Sequence, residues 1–330
     1  MNCSRLCRTG RSLLCRRSTS RLYCNEPPTK PPAKPRPDVS QLLREASSFE
    51  LSSTDDRWAS DTYPIDKELR EQLKAEHSDE SRLRVDPRTT SVIIFPGQGA
   101  QYPGMAGNLV SVPGVRDMFD YASSVMKIDI LKLCLSGPSQ LLDMTINCQM
   151  AMLVTSLAVL EKLKLSHPEV IETCVATAGF SVGEYAALVF AGALSFEEAV
   201  QVVKIRGEAM QLCSESRPSG MMTVFLSSAS NLNYGMKLAR EWCFEREHIK
   251  DPVCEVANYL YPHCKTIGGD EKALDFLQRN AREFNLRRSK RLAVSGAFHT
   301  RLMKPAKKVL EKALSEVDIR HPGITVRPER

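Results

Sequence analysis

The chain has 330 residues, 42% of them apolar and 25% charged, which suits a globular protein with one large core and a smaller one. Seventeen glycines and 19 prolines exclude a collagen-like or wholly low-complexity chain, and no stretch approaches the roughly 18 consecutive apolar residues of a spanning helix. The formal charge of +6 is accounted for by six arginines in the first 25 residues, so residues 26–330 are neutral and nucleic-acid binding, which needs a basic body, is not expected.

Residues 1–25 are rich in Arg and Ser, contain no acid, and are broken by Leu13-Leu14 and Leu22-Tyr23. They read as a mitochondrial presequence, which would place the protein in the matrix; a disordered basic tail is the alternative. Cys3, Cys7, Cys15 and Cys24 lie in this segment. The other seven cysteines, from Cys134 to Cys264, are irregularly spaced with no CxxC pair, so reduced core thiols are expected rather than disulfides or a zinc site. Six prolines between Pro27 and Pro37 begin a linker that runs over 26–89, with short helices expected at Val39–Ala46 and Ile65–Ala75.

Dense patterning starts near residue 90. Ser91–Phe95 reads as a short buried strand ending at Pro96-Gly97. Residues 115–127 and 149–164 have helical apolar spacing, Thr173–Ala178 reads as a second buried strand, and Val182–Phe190 and Phe196–Gln211 read as helices. Ser195 is the expected N-cap of the last, with Glu197 and Glu198 in its first turn. Strand followed by helix predicts an α/β fold with a mostly parallel sheet, of α/β-hydrolase-like type, over residues 90–218. The pattern then changes. Met221–Leu226, Ser230–Glu245, Val253–Ala257, Cys264–Ile267, Glu271–Phe284 and Arg291–Ser295 give the order β-α-β-β-α-β, which predicts an inserted ferredoxin-like small domain over 219–294. Residues 295–330 return to the large domain with a helix at Thr300–Ser315 and a strand at Ile324–Val326.

Gly179-Phe180-Ser181-Val182-Gly183 is a GxSxG between a strand and a helix, the context of a nucleophile elbow. The small residues allow a sharp turn that lifts the hydroxyl off the backbone. Serine needs a base. Of six histidines, His77, His167, His248, His263 and His321 lie in linker, turn, charged, inter-strand and tail segments. His299 alone closes an apolar strand and opens a helix, so it is the candidate base. Pro96-Gly97-Gln98-Gly99 lacks the third glycine of a dinucleotide fingerprint, since Tyr102 stands there. It is a candidate for backbone N–H groups aimed at an oxyanion, with Val182 supplying another. Arg206 sits on an apolar stripe with Val202, Val203, Ala209 and Met210. A buried cation needs an anionic partner, either a local acid or a substrate carboxylate gripped by its fork.

Phe95–Gln101, the Gly179–Glu184 elbow, Arg206-Gly207 with Met210-Gln211, and Gly296–Thr300 together resemble the malonyl-CoA:acyl-carrier-protein transacylase family over about residues 90–326, and the leader points to its mitochondrial members. The resemblance implies an acyltransferase that moves malonyl from malonyl-CoA to the phosphopantetheine thiol of acyl carrier protein for mitochondrial fatty-acid synthesis. Ser181 would be the nucleophile and His299 the base and then the acid. The N–H groups of Gln98 and Val182 would form the oxyanion hole, and Arg206 would pair with the malonyl carboxylate. Phe298 would disfavour an α-methyl branch. No metal or redox cofactor is implied, and a monomer is expected.

Two departures accompany the likeness. Phe180 stands where many members have histidine. Members also continue past the strand near Val326 with a segment whose backbone carbonyl orients the catalytic histidine, so the resemblance implies a chain shortened at its C-terminus and reduced activity. Two other functions stay open: a serine esterase or thioesterase on the same elbow, and an inactive form that only binds carrier protein.

Overall fold

The computed structural model describes residues 86 and 88–327; the leader, nearly all of the 26–89 linker and its two expected helices lie outside the described residues. Elements follow in chain order as β1 (Ser91–Phe95), α1 (Val115–Met126), α2 (Ile130–Ser136), α3 (Ser139–Asp143), α4 (Thr145–Ser166), α5 (Pro168–Glu172), β2 (Cys174–Gly179), α6 (Gly183–Phe190) and α7 (Phe196–Glu215). Next come β3 (Ser219–Phe225), α8 (Leu232–Arg246), β4 (Cys254–Tyr261), β5 (Cys264–Asp270), α9 (Glu271–Arg279) and β6 (Arg288–Arg291). A short 3₁₀ turn (Arg301–Met303), α10 (Lys304–Ser315) and β7 (Thr325–Arg327) close the described part.

The first sheet is parallel, in the order β1-β2-β7. Phe95 and Ile93 face a core built with Phe119, Met150, Leu153, Leu157, Val200 and Val203 from α1, α4 and α7. Val92 and Ile94 alternate to the other face and are 56% and 71% exposed. The strand expected to be buried is therefore buried on one side only, because residue i and i+1 of a strand point oppositely and the described helices pack on a single face.

The centre of this core is α4. It is long and apolar enough to cross a membrane, but most of it is buried in the protein on every side, as in a core helix. It starts at Thr145, four residues before the expected limit. It crosses α7 closely: a Cβ added at Gly207 would lie 3.0 Å from the Cα of Ile146. The crossing brings the following turn of α4 against Arg206. Helix α7 begins with a capping box, in which the Ser195 hydroxyl accepts from Glu198 N–H and the Glu198 carboxylate accepts from Ser195 N–H. The Ser195 N–H and, after it, the Ser195 hydroxyl donate to the Glu198 carboxylate and hold it below its ordinary pKa. The helix runs four residues past the expected Gln211.

The second sheet is antiparallel in the order β4-β5-β3-β6, with Met222, Val224, Met236, Ile267, Leu274, Leu277 and Phe284 in the core it shares with α8 and α9. Its β-α-β-β-α-β order is the one the sequence pattern predicts. Two details differ. The helix expected to reach Phe284 stops at Arg279, and Phe284 turns back into the core against Gly235. The last strand is Arg288–Arg291 rather than Arg291–Ser295. Its RSKR sequence has no apolar signal because it is an edge strand held to β3 by backbone bonds, where charged side chains discourage further pairing. Leu292 and Val294, which suggested the strand, instead pack against Met210, Cys213, Met221, Phe298, Met303 and Val309 in a third cluster formed by α7, α10 and the second sheet. Helices α2, α3 and α5 lacked a strong period and were not expected.

Seven cysteines, Cys134 to Cys264, are free thiols among the described residues. Burial pushes those of Cys134 and Cys243 up to about 11 and those of Cys148 and Cys254 up to about 12, which keeps them protonated and unreactive.

Candidate active site

The turn from β2 into α6 is held by close backbone approach. A Cβ at Gly179 would lie 2.0 Å from the carbonyl carbon of Gly183, and one at Gly183 would lie 2.5 Å from the Phe95 oxygen. Neither position admits a side chain. Between them Ser181 adopts a left-handed φ of 54°, unfavourable for a residue with a Cβ and characteristic of functional turns. The 96–99 loop lies against this elbow, since a Cβ at Gly97 would meet the Phe180 oxygen at 2.4 Å. The N–H groups of Gln98 and Val182 take no part in the backbone bonds that hold the two loops. The Gln98 side-chain nitrogen is buried with no partner among the described residues. Phe180 is partly exposed at the elbow and leaves its geometry intact.

Three predicted residues converge on one atom. Arg206 Nη2 donates to Ser181 Oγ at 3.0 Å, and His299 Nε2 lies 3.2 Å from the same oxygen. His299 also has a left-handed φ, 58°, in a turn tied by Thr300 Oγ1 donating to Ala297 O at 2.6 Å. Burial, and then the Arg206 cation, lower its pKa to about 4, with Glu184 opposing. The imidazole is therefore neutral at physiological pH and can accept a proton through Nε2.

Arg206 is held by a buried carboxamide and lies by an aromatic ring. Its Nη1 donates to the side-chain oxygen of Gln149, and its guanidinium lies 5.8 Å from the centre of the Tyr185 ring. Gln149 is 1% exposed and donates its own N–H to Met210 Sδ at 3.3 Å. Gln149 escaped the sequence reading; its signal was a carboxamide inside the apolar run Cys148–Val154. A cleft of about 640 Å³ leads to the site, lined among others by Arg206, His299, Glu184, Asn258, Met210 and Met303, with Lys304, Lys307 and Lys308 of α10 along it. Phe298 is 4% exposed in the third cluster beside Met210 and Met303 and does not itself line this cleft. Among the described residues no three His, Cys, Asp or Glu side chains are grouped to hold a metal.

A nucleophilic oxygen, a neutral base and a cation at one point, beside two available N–H groups, can attack an acyl carbon and bind an anionic group next to it. Comparison with known proteins agrees with this chemistry. The acyl transferase domain family matches residues 92–328. A probable mitochondrial malonyl-CoA-acyl carrier protein transacylase of Drosophila melanogaster is 44% identical over 283 residues, 82% of this chain and 74% of that protein. The mitochondrial malonyl-CoA-acyl carrier protein transacylase of Homo sapiens is 52% identical over 240 residues, 73% of this chain and 61% of that one. Among solved structures, the malonyl CoA-acyl carrier protein transacylase of Coxiella burnetii superposes with a TM-score of 0.64 at 31% identity, covering 72% of each chain. A malonyl-transacylase in complex with its type II PKS acyl-carrier protein gives 0.62 at 28% identity, covering 72% of this chain and 73% of that one.

Proposed function

The chain belongs to the acyl transferase family, and from that premise we propose that it carries malonyl from malonyl-CoA to the phosphopantetheine thiol of acyl carrier protein. The mitochondrial names of its relatives and the acid-free leader support a mitochondrial location, and we place the reaction in the matrix, with the enzyme acting as a monomer and without metal or redox cofactor. One observation carries the reading: the Ser181 oxygen is within hydrogen-bond reach of both His299 Nε2 and Arg206 Nη2.

The steps follow from that contact. The malonyl carboxylate pairs with the Arg206 guanidinium, which sets the thioester carbonyl at Ser181. Ser181 Oγ passes its proton to His299 Nε2 and bonds to the carbonyl carbon. The N–H groups of Gln98 and Val182 receive the oxyanion. Collapse breaks the C–S bond, and the coenzyme A sulfur takes the proton from His299, leaving malonyl-Ser181. The carrier thiol then gives its proton to His299, attacks the ester, and Ser181 Oγ is reprotonated as it leaves. Arg206 and His299 are coupled in this cycle. Arg206 depresses the basicity of His299, so a carboxylate on Arg206 offsets that depression when substrate is bound. An acetyl group brings no such charge. A plain esterase has no need of a cation on its nucleophile, which disfavours that alternative.

The test is intact mass measurement of the whole chain after brief exposure to malonyl-CoA, beside Ser181→Ala. A malonyl adduct on the unsubstituted chain alone, discharged by acyl carrier protein, is expected. An adduct that persists in Ser181→Ala, or discharge as free malonate at the same rate with and without carrier, would overturn the reading.

A further inference from the structure

The turn that carries His299 is tied to the second sheet before the histidine by Ala297 N–H, which donates to Ser219 Oγ of β3 at 3.3 Å, and after it by the Arg301 side chain. Arg301 Nη2 donates to Asp251 Oδ1 at 3.0 Å and to Pro252 O at 2.7 Å. Its Nε lies 3.3 Å from Glu255 Oε1, and its backbone N–H donates to Glu255 Oε2 at 3.2 Å. Glu255 belongs to β4 and is largely buried. Segment 251–255 is itself anchored. Arg217, just past the end of α7, donates to Asp251 O at 2.8 Å and pairs with the buried Asp270, whose Oδ2 accepts from Val253 N–H at 2.6 Å. Helix α7 carries Arg206. The same short segment thus receives the end of the Arg206 helix and the turn of His299.

His299 needs such a fixture. A left-handed non-glycine residue holds its conformation only when its surroundings impose it. The Thr300 hydroxyl closes the turn on itself but ties it to nothing else in the second sheet. Ala297 N–H on Ser219 fixes the turn on the upstream side of His299, and Arg301 supplies the tie on the downstream side. Arg301 lines the cleft, yet its Nη2 is spent on Asp251 and Pro252, and its Nε, buried without a hydrogen-bond partner among the described residues, faces the Glu255 carboxylate at 3.3 Å, which points to a fixture rather than a substrate cation.

We propose that Arg301, through its pairing with Glu255 and Asp251, is a positioning residue that holds the left-handed His299 turn so that Nε2 meets Ser181 Oγ. The proposal rests on the serine–histidine pair of the preceding reading, and its test uses two reagents so that the two can fail separately. Single-turnover labelling of Ser181 in the whole chain is followed with malonyl-CoA and with a fluorophosphonate, which also requires an activated serine but no malonyl site. The variants are Arg301→Gln, Glu255→Gln, their combination, and Arg301→Lys.

Glu255→Gln and Arg301→Gln are each expected to slow both reactions at saturating reagent at least tenfold, with half-saturating malonyl-CoA unchanged within twofold. The combined variant should be no slower than the worse single one, since both remove the same strap. Arg301→Lys, which keeps charge but loses the fork, should recover part of the rate. Full labelling rates in Glu255→Gln overturn the proposal. So does a raised half-saturation with unchanged maximal rate in Arg301→Gln, which would make Arg301 a substrate cation. If Arg301→Gln does not fold, Glu255→Gln decides. A chain that takes the fluorophosphonate but never malonyl sinks the transferase reading, while the comparison of variants still tests the strap.

Discussion

His299 should leave a signature in both stability and rate as pH is lowered. Its pKa falls from about 6.5 in the unfolded chain to about 4 in the fold, through burial first and Arg206 second. A depressed histidine favours the fold while neutral. Its contribution is complete above about 6.5 and is lost as pH falls through the interval down to about 4. There the unfolded chain binds one proton that the native state refuses, so stability drops by up to about 1.4 kcal/mol per pH unit and by about 3 kcal/mol across the interval. Urea unfolding of the unsubstituted chain and of His299→Gln, from pH 7.5 to pH 4.5, isolates this contribution because every other titrating group cancels in the difference. The two curves should converge, or cross, toward acid by about 2–3 kcal/mol. The same shift predicts that malonylation of Ser181 at low substrate stays level well below pH 6.5. At saturating malonyl-CoA the acid limb should move to higher pH, because the bound carboxylate offsets the Arg206 cation. Parallel stability curves, together with a rate that halves near pH 6.5 at low substrate, would refute the reasoning.

Arg206→Ala should cut kcat/KM for malonyl-CoA at least about 100-fold through the loss of charge-assisted hydrogen bonds worth about 1.5–3 kcal/mol each, while transfer of acetyl falls much less; equal losses for the two acyl groups would remove Arg206 from carboxylate recognition. Gln149→Leu frees Arg206 Nη1 from its buried acceptor. It should lower malonyl-over-acetyl selectivity by about 10-fold or more while leaving Ser181 reactive to a fluorophosphonate, and unchanged selectivity would make Gln149 a packing residue only. Gly183→Ala would drive a methyl into the Phe95 and Pro96 oxygens at 2.5 and 2.7 Å. A loss of about 3 kcal/mol or more in urea unfolding is expected, and a neutral result would show that the elbow tolerates a wider turn.

The chemistry of this protein was legible where local pattern and chemistry coincide. GxSxG between a strand and a helix marks a turn that only small residues allow, and the glycine contacts of the structure give the reason. His299 stood out because the sequence reads it as a strand-end to helix-start junction, whereas in the fold it lies in a turn eight residues past the end of β6; Arg206 stood out because a cation on an apolar stripe demands a partner. The capping box of α7 and the β-α-β-β-α-β order rest on similarly local signals. The errors have a common origin. A half-buried strand such as Ser91–Phe95 and a buried one have the same apolar run, because period and composition do not say how many faces are covered. The charged edge strand Arg288–Arg291 carries no apolar signal, while Leu292 and Val294 imitate a strand when their burial is due to packing against the cluster of α7, α10 and the second sheet.

What the sequence by itself determined was the inventory: a tight serine turn, a histidine and an arginine each in an anomalous local setting, and helices and strands whose periods are set by backbone geometry. Only the tertiary structure decided which groups meet. Ser181 and His299 are 118 positions apart, and Gln149 and Arg206 are 57. No local preference encodes such pairs. They exist because Gly207 lets α7 lie against α4, which turns Gln149 and Arg206 toward each other, and because segment 251–255 gathers the end of α7 and the His299 turn onto the second sheet.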